Sequence, residues 1–272
     1  MKQTDAMHRS KAYNKCIDAV IENYLKSGRH DLPWRKKITP YRILVSEIML
    51  QQTQVGRVRS KFALWIDKYP TLSALRSSSL KEVLILWQGL GYQRRAKALL
   101  SIAKEVNTIP KSFDELLELR GVGIYTASAV CALAYDTFSH PVLETNIRTV
   151  LIEYFHQGEM EVHDKVLYDD LVRLEKNIKV KNLGARKWYY ALMDYGAHLK
   201  ALHISHNHKS LHHRAQSPYK GSARELRARV LYAITHGTEF PDDERTHTTL
   251  DQLTKEGFIY KKRIKYYLKE TL

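Results

Sequence analysis

The 272-residue chain is written in helical period almost throughout, and its helices are punctuated by glycines in pairs. Thr39-Pro40 has the form of an N-cap followed by a first helical residue. Apolar side chains then recur at three- and four-residue steps: Ile43, Ile48, and later Val55, Val58, Phe62 and Trp65. The same reading predicts helices over 80–88, 94–106, 113–119, 124–135, 145–155, 164–176 and 183–200. Alternating, strand-like patterns are nearly missing before residue 255, so residues 1–212 read as all-α. The pairs Gly89/Gly91 and Gly121/Gly123 each fall between two helices. Glycine permits positive φ and close backbone approach, so each pair predicts a tight turn.

Beyond residue 212 the pattern changes. Residues 213–221 (HRAQSPYKG) read as a linker. Ser222 and Glu225 have capping-box spacing and open a helix through Ile234. Thr248–Glu256 reads as a second helix, and GFIYKKRIKYYL (257–268) as a short hairpin. Helix, helix, hairpin is the order of a small winged-helix-like module. No internal repeat is found.

Charge points to the partner. The 44 Lys and Arg against 29 Asp and Glu leave a formal +15, which favours a polyanion: nucleic acid or an anionic membrane surface. No apolar run reaches the ~18–20 residues of a membrane span. Residues 1–15 lack the apolar core of a signal peptide, and no basic amphipathic anchor is present. Nucleic acid therefore leads, with no membrane role. The chain is long enough to bury a core without disulfides. Its two cysteines, Cys16 and Cys131, match no ligand spacing. Free thiols in a reducing cytoplasm, close to the nucleoid, are the expected setting.

Four segments carry residues fit for chemistry. In LRGVGIYTA (119–127), the helix after the glycine turn begins with free N–H groups, able to hold a phosphate without reading sequence; the plainer alternative is an ordinary helix–helix turn. In WQGLGYQRRAK (87–97), Tyr92 sits at a turn tip ahead of Arg94, Arg95 and Lys97. Such an aromatic can wedge into a base stack while the cations meet phosphates, or it can be a buried Tyr beside a solvated face. In SEIMLQQTQV (46–55), Glu47 lies in an apolar helix beside Ile48, Met49 and Leu50. Those surroundings favour a protonated carboxyl suited to general acid work; a paired structural Glu is the alternative. Gln51, Gln52 and Thr53 follow, where a flipped base would leave a gap. In PVLETNIRTV (141–150), Glu144 precedes a helix. It is either a cap on that helix or a carboxylate that stabilises a developing oxocarbenium ion.

Taken in order, LPWR (32–35), PYRILVSEIMLQQTQV (40–55), LWQGLGYQRRAKAL (86–99), LRGVGIYTASAV (119–130), LETNIRTV (143–150) and WYYALMDYGA (188–197) resemble the helix-hairpin-helix DNA glycosylase superfamily, and within it the adenine-specific MutY type. The resemblance implies a two-domain all-α fold with a DNA cleft between the domains: residues 1–35 with 150–212 as one helical domain, 36–149 as a six-helix barrel, and 222–272 as the added module. It implies that Glu47 is the general acid that protonates the leaving base. Glu144 stands where the family keeps its catalytic carboxylate, with Asn146 as a polar companion. Tyr92 matches the wedge, and Gln51, Gln52 and Thr53 the intercalating loop. Gly121, Gly123, Ile124 and Thr126 match the phosphate-binding hairpin, which in this superfamily often holds a monovalent cation on backbone carbonyls. Tyr125 stands where bifunctional relatives place a Schiff-base lysine. A phenol forms no imine, so a monofunctional hydrolase is expected.

The chain departs from the family in three places. The region after the Asp-Tyr-Gly-Ala stretch, HLKALHISHNHKSLHHRAQ (198–216), has no Cys, so the four thiolates of the usual [4Fe–4S] cluster are missing and no cluster is expected. His198, His203, His206, His208, His212 and His213 stand there instead. Their spacing fits no structural zinc pattern. Residues 195–230 hold seven Lys or Arg against one Glu, net +6, and a basic loop on phosphates is expected rather than a metal. Glu144 replaces the usual Asp, and a misplacement of about 1 Å can cost ~10²-fold in rate if nothing compensates. Finally, the family's domain that reads 8-oxoguanine is larger than residues 220–272. Expected, then, is a monomer acting on duplex DNA with a mispaired or damaged base, most simply adenine opposite 8-oxoguanine or guanine. Removal of uracil or thymine opposite guanine, and non-catalytic lesion binding, are the alternatives.

Overall fold

The computed structural model describes residues 2–180, 182–212, 217–263 and 265–269. His213 and the first part of the expected linker lie outside them. The described helices are α1 (Lys2–Ser27), α2 (Pro33–Lys36), α3 (Pro40–Leu50), α4 (Val55–Lys68), α5 (Leu72–Arg76), α6 (Leu80–Trp87), α7 (Arg94–Glu105), α8 (Phe113–Glu118), α9 (Ile124–Tyr135), α10 (Thr145–Phe155), α11 (Asp164–Val180), α12 (Ala185–Ala201), α13 (Ala223–His236) and α14 (Glu244–Lys255). Strands β1 (Ile259–Lys262) and β2 (Lys265–Leu268) pair antiparallel, with Ile259 opposite Leu268. The expected all-α architecture with a terminal helix-helix-hairpin is thus present. Helix α14 starts ahead of Thr248 because Asp243 caps it, accepting the Thr246 N–H at 2.7 Å. Helix α11 runs past the expected end at 176, to Val180.

The chain forms two compact units: Met1–Ile43, Pro110–Leu117 and Val122–Ala215 in the first, Leu44–Ile109, Glu118–Gly121 and Gln216–Leu272 in the second. This grouping cuts the chain differently from the sequence reading, in which 36–149 stood together and 222–272 stood apart. Helices α9 and α10 join the first unit because they bury their apolar faces on α12. Trp188, Tyr189 and Leu192 of α12 form its core with Cys16, Ile17 and Val20 of α1, Val130 of α9 and Val150 of α10, all buried. In the second unit Trp65 and Trp87 meet edge to face at 5.5 Å, and α13 packs on α6 and β2.

Two features of the first unit position its polar residues. A Cβ at Gly196 of α12 would lie 2.1 Å from the Asn146 carbonyl oxygen, so only glycine lets α12 rest against the start of α10. Two residues earlier, the buried Asp194 carboxylate receives Arg29 Nε at 2.6 Å, Arg35 Nη1 at 2.7 Å and Nη2 at 2.9 Å, and the Arg29 backbone N–H at 2.9 Å. The Arg35 guanidinium also lies 4.0 Å over the Tyr190 ring. This is the structural work of the LPWR segment.

Burial pushes the Asp194 carboxyl up, and the hydrogen bonds and charges of Arg35 and Arg29 outweigh it, leaving the group below the usual carboxylate range. The unfolded carboxyl, with a pKa of about 3.9, takes up its proton first on acidification. Its contribution is therefore intact above about pH 4 and is lost as pH falls through the lower folded value. Asp194→Asn is expected to cost about 3–5 kcal/mol at neutral pH, because two arginines lose a buried charge partner, and to flatten the acid loss of stability. Denaturant midpoints measured against pH test this; parallel acid limbs in both proteins would clear Asp194 of the effect.

Candidate active site and nucleic-acid interface

The second unit holds two turns and the stretch of α3 that carries Glu47. Glu47 is 3% exposed, in the buried middle of α3. After α3 the chain turns through Gln51, Gln52 and Thr53, with Gln52 exposed and in the left-handed region at φ 57°. The second turn, Gln88–Gln93, has Gly89 at φ 88° and Gly91 at φ 71°, conformations that suit glycine. Tyr92 follows at φ 47°, uncommon for a bulky residue. Its ring is partly exposed, and its hydroxyl accepts Arg224 Nη1 at 2.9 Å. Arg224 comes from the C-terminal module, and no local pattern linked it to Tyr92.

Both turns hang on Arg95. The sequence reading placed this side chain on a phosphate; it is 8% exposed. Its Nη1 donates to the carbonyls of Ile48 (2.9 Å), Met49 (3.0 Å) and Gln51 (2.5 Å), and Nη2 to those of Leu90 (2.8 Å) and Gly91 (3.0 Å) and to Thr53 Oγ1 (3.1 Å). Carbonyls left without partners by helix ends and turns require such donors when buried. Burial pushes the guanidinium down to about 10, so it stays protonated at neutral pH. The other two cations of this segment are also committed. Arg94 forms a two-pronged pair with Glu256, and Lys97 donates to the Glu256 and Gly257 carbonyls.

Within the glycine hairpin the chain passes from the second unit, through Gly121, to the first, from Val122. Gly121 is required twice over, by φ 78° and by an added Cβ falling 2.8 Å from the Ala98 Cβ. Gly123 is extended backbone, with nothing within 4 Å of an added Cβ. Open space at the head of α9, rather than strain, is what this glycine supplies. The first backbone bond into α9 runs from the Ala127 N–H to the Gly123 carbonyl at 2.9 Å. The earlier N–H groups therefore have no intrahelical acceptor. Ile124 is 61% exposed there, whereas Thr126, expected at the interface, is buried. Tyr125 is half-buried.

The first unit holds Glu144 and Asn146 together. Glu144 is the N-cap of α10: its Oε1 accepts the N–H groups of Asn146 (2.9 Å) and Ile147 (3.1 Å). Its Oε2 accepts Thr145 Oγ1 (3.1 Å) and Asn146 Nδ2 (3.2 Å). The plain capping reading holds, and it leaves room for a functional carboxylate, because the same hydrogen bonds hold the half-buried carboxyl in one place at the helix N-terminus. Asn146 Oδ1 accepts Lys200 Nζ at 2.8 Å. Helical periodicity gives no sign of Lys200, which lies in the basic stretch after residue 197.

The donor set does not fit a four-thiolate cluster. No Cys follows Asp194–Ala197, and the chain's two thiols are buried in α1 and α9. His206 Nε2 lies 2.5 Å from Glu153 Oε2. Among the described residues no three His, Cys, Asp or Glu side chains are grouped as metal ligands, and no helix is long and apolar enough to cross a membrane.

A helix-glycine hairpin-helix followed along the chain by a carboxylate that caps a helix points to a class, and comparison with known proteins agrees. Residues 45–190 match the HhH-GPD superfamily of base excision DNA repair proteins, and the chain belongs to that superfamily. An adenine DNA glycosylase of Buchnera aphidicola subsp. Schizaphis graminum is 33% identical over 187 residues, 65% of this chain and 52% of that protein. One from Mycolicibacterium smegmatis is 46% identical over 135 residues, 47% and 46% of the two chains. The chain spans about half the length of these curated relatives. Among solved structures, a thermostable thymine-DNA glycosylase superposes with TM-score 0.58 at 24% identity, covering 70% of this chain and 88% of that one. A trapped endonuclease III–DNA covalent intermediate gives 0.53 at 18%, covering 78% and 92%. These two likenesses show the fold.

Arg95→Lys is expected to destabilise the protein by about 2 kcal/mol or more, since one ammonium cannot serve acceptors in both turns and orphaned buried carbonyls are costly. Amide exchange at Thr53, whose N–H donates to Leu50 at 3.1 Å, should speed up. Unchanged exchange with unchanged stability would remove Arg95 as the anchor of the turns.

Proposed function

We propose that the chain is a monofunctional DNA glycosylase that flips adenine, mispaired with 8-oxoguanine or guanine, out of the duplex and hydrolyses its N-glycosidic bond. The observation that carries the proposal is the contrast between two carboxyl groups. Glu47 is buried in an apolar helix, and Glu144 is ringed by four hydrogen-bond donors at a helix N-terminus. Base loss needs both a proton and a negative charge. In the proposed reaction Glu47 protonates the base, and the glycosidic electron pair leaves with it. Glu144 supports the positive charge on the sugar and receives the proton of the water that adds to C1′. Tyr125 offers no amine, so hydrolysis without strand cleavage is the proposed outcome. The names of the relatives favour adenine over uracil or thymine.

In this reading Tyr92 is the wedge. Gln51, Gln52 and Thr53 fill the vacated space, and the head of α9 from Gly123 through Tyr125 meets a phosphate with its backbone. Duplex DNA is the proposed partner of a monomer working in the cytoplasm at the nucleoid. Log affinity is then expected to fall linearly with log salt, by about 0.9 per phosphate neutralised; a flat response would remove phosphate contact from the proposal.

Free base released from duplexes carrying adenine opposite 8-oxoguanine, adenine opposite guanine, uracil opposite guanine and thymine opposite guanine tests the substrate. Adenine is expected; release only from the last two would reassign it. Glu47→Gln should abolish release while binding to mispaired DNA persists, and near-normal excision by this variant would refute the mechanism. Glu144→Gln should be severely impaired. Glu144→Asp should slow single-turnover cleavage by roughly tenfold or more, if the longer side chain is matched to its site. Borohydride is expected to trap no covalent complex.

A further inference from the structure

We infer that Lys200 is a positioning residue: its ammonium fixes the Asn146 amide, and through that amide it fixes the Glu144 carboxylate. The geometry is a short relay. Lys200 Nζ donates to Asn146 Oδ1 at 2.8 Å, and Asn146 Nδ2 donates to Glu144 Oε2 at 3.2 Å. The chemistry of the two ends dictates which way the amide faces. An ammonium can only donate, so it selects the amide oxygen; an ionised carboxylate can only accept, so it selects the amide nitrogen. Turned over, the amide would set like against like at both ends. Without Lys200 only the weaker carboxylate end would hold it.

The fold delivers Lys200 to this place. Gly196 and Lys200 are four residues apart on α12 and so share a helix face. Gly196 brings α12 against the Asn146 backbone, and Lys200, one turn on, meets the same residue's side chain. Lys200 is half-buried, and burial pulls its ammonium below the usual lysine range while Glu144 pulls it back up. A half-buried ammonium with an amide oxygen and a carboxylate as neighbours belongs to the polar cluster at the head of α10, not to a solvated basic face.

The role rests on reading Glu144 as the carboxylate at the sugar, so its test has one arm independent of catalysis. In 15N-labelled protein, the Asn146 side-chain amide signals, assigned by their loss in Asn146→Ala, should shift in Lys200→Met and move back part of the way in Lys200→Arg. Signals that stay in place in Lys200→Met overturn the inference whatever the enzyme's substrate. In the catalytic arm, Lys200→Met should lower the single-turnover rate on an adenine mispair roughly tenfold or more, with affinity for that duplex within about threefold of wild type. Lys200→Arg should recover part of the rate. Glu144→Gln combined with Lys200→Met should be no slower than Glu144→Gln alone, since the relay ends on Glu144. A wild-type rate in Lys200→Met, a loss confined to affinity as for a plain phosphate contact, or additive losses in the double variant would each overturn it. Wild-type protein that releases no base would count against the proposed function, and the amide signals would still decide for or against the relay.

Discussion

At Gly196 the backbone of α12 rests on the first turn of α10, closer than any side chain would permit, and the placement of the first unit's polar residues follows from that contact. Asp194, two residues before it, draws in Arg29 and Arg35 and so ties the loop after α1 and helix α2 to α12. Lys200, one turn after it, reaches Asn146. One helix thus acts as a ruler along which a structural ion cluster, a backbone contact and a polar relay are set at fixed intervals. A close-packed contact of this kind transmits position well, because neither backbone can yield without opening a gap.

What was legible in the sequence was what depends on near neighbours. The start of α10 could be read from Glu144-Thr145-Asn146, because a cap and the N–H groups it satisfies lie within three residues. The glycine turns could be read because positive φ at Gly89, Gly91 and Gly121 is a property of single residues. What was not legible depends on partners far along the chain. Arg94, Arg95 and Lys97 follow a turn and have the look of a solvated basic face, yet their acceptors come from residues 48–53, 90–91 and 256–257. Nothing local distinguishes such a guanidinium from one that meets a phosphate. The inward turn of Thr126 was within reach, since it lies on α9 with Ala127 and Val130, which are both buried.

The basic character of the chain also needs reading by location. Of the three cations after Tyr92, one is buried, one is paired and one is held by carbonyls. Meanwhile Arg224 of the C-terminal module reaches the Tyr92 hydroxyl. The module is therefore part of the environment of Tyr92 within its own unit, and the helix-helix-hairpin is more than an appended basic tail.

The double anchorage of Arg95 has a consequence for how the turns can vary. Gln52 and Tyr92 both adopt left-handed backbone that a non-glycine residue enters at a cost, and one guanidinium underpins the segments that carry both. A substitution that relaxes one turn changes the acceptors presented to Arg95, and with them the support of the other. The two turns, some 40 residues apart in the chain, form a single thermodynamic unit. Exchanging one of them alone for its counterpart from a relative is then a poorer graft than exchanging both together, since each has been shaped against the same buried cation.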